Sequence, residues 1–211
     1  MSDQAKLYLI TPVIEDFAAF GPLLSAAIDG HAPACVLLRL AARGDAEAKK
    51  ALRTLAPLVQ TPGAALLLDG AVPLAARVNA DGVHIRGPGA VLDDALASLK
   101  PERIVGAGAL RNKDDAMSAG ETGVDYVMFG EPAPDGYTPA LAATLERVEW
   151  WAQIFNVPCI GFAAQLDDIG PLVEAGADFV ALGEAVWGDP RGPAEAMREA
   201  AVALADARSP A

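Results

Sequence analysis

Eight polar side chains stand at or just beyond the ends of short apolar runs in this sequence: Arg39, Asp69, His84, Arg86, Arg111, Glu131, Gln165 and Glu184. Their types suggest two kinds of chemistry. A guanidinium offers a fixed fork of donors that matches a carboxylate or other small anion, so Arg39, Arg86 and Arg111 are candidate anion holders. Asp69, His84 and Glu184 are candidates for proton transfer, since carboxylates and imidazole exchange protons near neutral pH. Each has a structural alternative. Asp69 can form a fixed ion pair with Arg39, and His84, inside an apolar run, can be a hydrogen-bonded core residue. Arg86 and Arg111 can pair with Asp69, Glu131 and Glu184 and close a polar plug. Gln165 offers an amide, and Trp187 a wall.

The elements that must position these groups are legible from a repeated phrase. Ala80-Asp81-Gly82-Val83-His84-Ile85-Arg86, Val124-Asp125-Tyr126-Val127-Met128-Phe129-Gly130 and Ala177-Asp178-Phe179-Val180-Ala181-Leu182-Gly183 each lead from a helix-like stretch through an Asp into an apolar run. This is how a helix returns to a buried parallel strand. Strands are expected at Leu7–Thr11, Cys35–Leu40, Ala64–Asp69, Gly82–Arg86, Arg103–Ala109, Asp125–Gly130, Pro158–Ala164 and Phe179–Glu184. Most are apolar on both phases, as strands covered by helices should be.

Helices are expected over Asp45–Leu58, from Thr138 or Pro139 to about Phe155 with Leu141, Leu145, Val148 and Ile154 inward, and over Asp167–Ala175 before Gly176. The pattern gives an α/β chain folded as one (β/α)8 TIM barrel over residues 1–211. Its core covers 5–204, and the ends Met1–Gln4 and Ala205–Ala211 are loose. An open flavodoxin-like sheet would use fewer strands. In such a barrel Asp81, Asp125 and Asp178 lie at the structural face, and the eight polar residues converge at the opposite mouth, where a small-molecule ligand is expected.

Composition narrows the partners. Sixteen basic against 28 acidic residues give a net charge of −12, which repels nucleic acid and anionic membranes. No apolar run approaches the ~18 residues of a membrane span, and no leader pattern is evident, so a cytoplasmic location is expected. Cys35 and Cys159 fall within apolar strands and read as buried thiols rather than metal ligands. His31 falls in a surface loop. Nothing in the residues calls for a metal or cofactor. Alanine-rich helices with the Trp150-Trp151 pair are compatible with a homodimer.

With the strands placed, the sequence resembles the thiamine phosphate synthase/thiazole tautomerase family over nearly its whole length. Leu7-Tyr8-Leu9-Ile10-Thr11, Val36-Leu37-Leu38-Arg39-Leu40, Leu66-Leu67-Leu68-Asp69-Gly70, Ala80-Asp81-Gly82-Val83-His84-Ile85, Gly123-Val124-Asp125-Tyr126-Val127-Met128-Phe129-Gly130 and Ala175-Gly176-Ala177-Asp178-Phe179-Val180-Ala181 follow its phrases in order. The resemblance implies a barrel that joins a pyrimidine diphosphate to a thiazole phosphate and releases pyrophosphate. That reaction implies Mg²⁺ on carboxylates, cationic side chains on the diphosphate, and glycine-flanked N–H groups on the thiazole phosphate.

The sequence departs from the family pattern at the positions that would do this. The metal-binding Asp positions fall on Gly70 and Gly89, and the Gln and Lys flanking Arg39 are Leu37 and Ala41. The Ser-Ala-His-Thr of strand 5 is Gly108-Ala109-Leu110-Arg111, and the loop after strand 6 is Glu131-Pro132-Ala133-Pro134-Asp135-Gly136-Tyr137, without a Lys. The Gly-Gly turn is Ala163-Ala164, and a Ser near strand 8 is Glu184. Two readings follow. In one, the synthase reaction persists, with Mg²⁺ held by non-aligned groups such as Asp69 and Glu184. In the other, a non-catalytic or re-purposed barrel binds a small unphosphorylated metabolite through an Arg/carboxylate mouth.

Overall fold

The computed structural model describes residues 5–41, 44–133 and 136–208. Pro134, Asp135, Met1–Gln4 and Ser209–Ala211 therefore lie outside the described residues. Eight parallel strands close on themselves in sequence order: β1 Lys6–Ile14, β2 Cys35–Leu40, β3 Ala65–Asp69, β4 Gly82–Arg86, β5 Ile104–Gly108, β6 Tyr126–Phe129, β7 Cys159–Ala163 and β8 Phe179–Leu182. β8 pairs with β1 from Phe179↔Lys6 to Leu182↔Leu9. This is the (β/α)8 barrel expected from the repeated phrase.

The two apolar phases of the strands make two cores. Tyr8, Ile10, Cys35, Leu37, Leu67, Tyr126, Met128, Ile160, Phe162 and Ala181 fill the barrel interior. The alternate residues, such as Leu9, Val36, Leu66, Val83 and Val127, pack outward under the helices. A strand buried on both faces has no polar phase to display, which is why alternation was faint in the sequence.

The helices are α1 Phe17–Ile28, α2 Asp45–Gln60, α3 Val72–Ala75, α4 Ala90–Leu99, α5 Lys113–Glu121, α6 Leu141–Ile154, α7 Ile169–Glu174, α8 Glu184–Trp187 and α9 Pro193–Ala207. Asp16 starts α1 by accepting from the N–H groups of Ala18 and Ala19, both at 3.0 Å. α3 is a single turn continued by a 3-10 turn over Ala76–Val78, and Asn79 closes it in the left-handed region at φ 54°. No helix among the described residues is long and apolar enough to cross a membrane.

Several expectations need correction. Ile154 is 62% exposed, and Trp151, fully buried, takes the inward place at the end of α6 while its Nε1 donates to the Val157 carbonyl at 2.7 Å. α6 begins at Leu141 rather than at Thr138 or Pro139. Ala205–Ala207 are helical, because Leu204 and its neighbours pack α9 onto the barrel. The last strand stops at Leu182, so Glu184 opens α8 instead of ending β8.

The three repeated Asp residues have one job. Asp81 Oδ2 accepts from Leu66 N at 2.7 Å, Asp125 Oδ2 from Val105 N at 2.7 Å, and Asp178 Oδ2 from Cys159 N at 2.8 Å. Each carboxylate thus satisfies the first free N–H of the preceding strand at the N-terminal face, where no earlier residue can pair with it. Their recurrence is structural, and the polar groups at the other end of the barrel are left to do something else.

Candidate active site

Five of the eight candidate residues meet at the C-terminal mouth in one connected chain. Arg39 at the end of β2 faces Asp69 at the end of β3, Nε to Oδ2 at 3.3 Å. Arg86 at the end of β4 grips the same carboxylate, Nε and Nη2 each 3.4 Å from an Asp69 oxygen, and donates from Nη1 to the Pro132 carbonyl at 3.2 Å. Arg86 Nη2 also lies 3.8 Å from Glu131, and Glu131 lies 3.3 Å from His84 Nε2. The His84 Nδ1 is 2.9 Å from the Tyr126 hydroxyl, which is 3.0 Å from the Tyr8 hydroxyl. The line Arg39–Asp69–Arg86–Glu131–His84–Tyr126–Tyr8 runs from the rim to the middle of the barrel.

β5 makes room for the inner half of this line. A side-chain carbon on Gly106 would lie 1.9 Å from the Tyr126 ring, and one on Gly108 would lie 2.3 Å from Glu131 Oε1 and 2.4 Å from His84 Nε2. Strand β5 therefore contributes absence: its inward positions are empty so that β4 and β6 can fill the centre with polar rings. The next residue, Ala109, has φ 52°, a conformation L-residues rarely adopt, and its N–H binds Glu131. A β-bulge in β1, between Ile10 and Val13, leaves the Arg39 N–H free of the ladder, and the buried Thr11 hydroxyl accepts it at 3.0 Å.

Electrostatics follow from burial. Glu131 is 6% exposed. Burial works to raise its pKa, but the charge and hydrogen bond of His84, the Arg86 guanidinium and the Ala109 N–H together outweigh it and hold the carboxyl below its ordinary range. Burial pushes both tyrosines well above theirs, so both remain phenols. Burial likewise raises Cys35, and raises Cys159 to about 12.

The rim encloses a cavity of about 130 Å³ lined by Ile10, Thr11, Pro12, Arg39, Arg86, Glu131, Pro132, Phe162, Gly183, Glu184 and Trp187. Trp187 is fixed there, its Nε1 donating to the Ile10 carbonyl at 2.7 Å and its ring 4.9 Å from Phe20. A second space of about 270 Å³ lies outside the barrel between β2, β3, α2 and α3, with mainly apolar walls.

Two sequence candidates stand apart from the mouth. The turn at Ala109 buries Leu110 and directs Arg111 to the exterior, where its N–H binds Asp115 Oδ2 at 3.1 Å and its carbonyl accepts from Arg147 at 2.7 Å. Gln165 is exposed, and its backbone N–H donates to Asp168 Oδ2 at 3.0 Å at the start of the 3-10 turn Leu166–Asp168. Tyr8 and Tyr126 escaped notice in the sequence. The signal was their inward phase beside His84, together with the Gly106-Ala107-Gly108 gap that they fill.

The sequence profile of the thiamine monophosphate synthase family matches residues 7–186. The chain belongs to that family. Among its relatives, the thiamine-phosphate synthase of Rhodospirillum centenum is 40% identical over 196 residues, covering 92% of this chain and 95% of the relative. That of Hyphomonas neptunium is 36% identical over 205 residues, covering 92% and 91%. The structure of the thiamine phosphate pyrophosphorylase from Pyrococcus furiosus superposes with a TM-score of 0.80 at 22% identity, covering 97% of this chain and 98% of that one, and shows the shared fold.

The family chemistry implies Mg²⁺, which would need carboxylates at the mouth. The positions to which the resemblance assigns the metal carboxylates are Gly70, at φ 68°, and Gly89, at φ 117° and ψ −166°, a backbone region essentially restricted to glycine. Asp69 is shared by two guanidiniums, and Glu131 is turned into the barrel against His84 and Arg86. Among the described residues no three His, Cys, Asp or Glu side chains converge as a metal-holding group. Of the three carboxylates at the mouth, Asp69 and Glu131 already face arginines, and Glu184 makes no ion pair among the described residues.

Proposed function

We propose that this member of the thiamine monophosphate synthase family retains the barrel and a ligand cavity of the thiamine biosynthetic lineage, but binds a small unphosphorylated metabolite there without magnesium-dependent coupling. The observation that carries this reading is the clamp of Arg39 and Arg86 on Asp69. A dication would have to displace at least one guanidinium from a carboxylate only one-fifth exposed, and breaking such a partly buried pair leaves an uncompensated charge.

The phosphate corner supports the same reading. Loops after the seventh and eighth strands commonly hold phosphate in these barrels, and here the second of them begins with Glu184, which borders the cavity with its Oε1 beside Gly188. Two like charges ~4 Å apart repel by about 4 kcal/mol at an effective dielectric of 20. A cytoplasmic location and a homodimeric assembly are part of the proposal.

The similarity to curated synthases, 40% identity over nearly the full length of one of them, favours a second reading in which coupling persists. One assay separates the two. The purified chain is incubated at high concentration with the pyrimidine diphosphate, the thiazole phosphate and Mg²⁺, and pyrophosphate is measured. No release above the buffer control is expected; turnover abolished by a chelator would establish the synthase reading instead.

A further inference from the structure

Two opposite charges on the cavity wall are left with unused capacity after the ion pairs have formed. All three Arg86 nitrogens are engaged, by Asp69 and the Pro132 carbonyl, and Glu131 is engaged by His84, Arg86 and the Ala109 N–H. Arg39 differs. Its Nε is buried opposite Asp69 without hydrogen-bond geometry, its side chain is 32% exposed, and its terminal nitrogens donate to no group among the described residues. Glu184 is exposed and makes no ion pair among the described residues. Both line the same cavity, with Phe162 and Trp187 as its aromatic walls.

The charges on its wall limit what can sit between them. An anion alone would meet Arg39 but also Glu184, and a cation alone would meet the reverse. A ligand that carries both charges satisfies both, and its apolar part covers the aromatic wall.

We propose that the cavity is an amphoteric-ligand site: it takes a small molecule with an anionic acceptor turned to Arg39 and a protonated nitrogen turned to Glu184. This rests on the preceding reading only in placing an unphosphorylated ligand at the mouth, and it adds the chemical class of that ligand. Arg39 and Glu184 then set specificity, because each rejects the molecule that lacks its complement.

The test is a calorimetric titration of the full chain with two zwitterions of different shape, proline and imidazole-4-acetate, against their single-charge counterparts pyrrolidine, cyclopentanecarboxylate and imidazole. Each zwitterion should bind about ten- to a hundredfold more tightly than its counterparts, the effect of one added charge-assisted contact. Glu184→Gln should remove that advantage for proline and leave cyclopentanecarboxylate binding no weaker. Arg39→Met should remove it and leave pyrrolidine binding no weaker, with Arg39→Gln as the replacement if circular dichroism shows the first variant unfolded. Zwitterions that bind no better than single charges, or not at all, overturn the proposal, as does an unchanged proline affinity in Glu184→Gln. Pyrophosphate formation in the coupling assay overturns the preceding reading whatever these titrations give, so the two failures are told apart.

Discussion

Gly108→Ala places one methyl group where the buried line of side chains has no room for it. The added carbon would lie 2.3 Å from Glu131 Oε1, 2.4 Å from His84 Nε2 and 2.6 Å from His84 Cε1. Ordinary contacts are about 3.5 Å, so the pair must open by roughly 1 Å, and its present separation of 3.3 Å is already near the limit of an interaction. Overpacking costs about 1–3 kcal/mol, and losing a hydrogen bond to a charged group adds about 1.5–3 kcal/mol. The sum is about 2.5–6 kcal/mol, which for a chain of this size lowers the melting temperature by roughly 5–24 °C.

Two controls isolate the cause. Gly170→Ala, inside α7 with nothing near the new carbon, should be neutral or stabilising by about 0.5–1 kcal/mol. The second control is pH. Glu131 has a folded-state pKa below its ordinary 4.5, so the stability it contributes is complete above about pH 4.5 and is lost as pH falls through the lowered value. Gly108→Ala should therefore lose more stability at pH 7 than below the lowered value, where the wild type has forfeited the same interaction. Chemical denaturation over a pH series running down from 7 reads both effects. A Gly108→Ala protein as stable as wild type at pH 7 would refute the reasoning, because it would mean His84 and Glu131 are not held together against β5.

Two further outcomes follow from the fold. With the Cys159 thiol raised to about 12 and Cys35 raised as well, neither should react with iodoacetamide at pH 8 until the chain unfolds; rapid labelling of the native protein, read by mass spectrometry, would contradict their burial. Asp125→Ala strips the Val105 N–H of its acceptor and the Lys100 ammonium of its partner. It should cost about 1–3 kcal/mol in urea unfolding while leaving ligand binding at the opposite face unchanged, and a loss of binding without loss of stability would assign this Asp to the wrong face.

The sequence by itself determined the barrel. Apolar runs spaced by helical stretches, each re-entered through an Asp, leave few ways to bury both faces of eight strands, and the Asp carboxylates were placed at the correct face because a helix return has an unsatisfied N–H to meet. It also located Arg39, Asp69, His84, Arg86, Glu131 and Glu184 near one end, since strand ends in such a fold share a mouth. Tertiary structure alone decided how these charges spend themselves. Which arginine a carboxylate meets depends on strand register and on the empty inward positions of Gly106 and Gly108, and neither distance is encoded in any local run. The same holds for Arg111, sent outward by one left-handed residue, and for Gln165, taken up at the start of a 3-10 turn. Sequence spacing fixes where a side chain begins; only the closed barrel fixes what lies across from it.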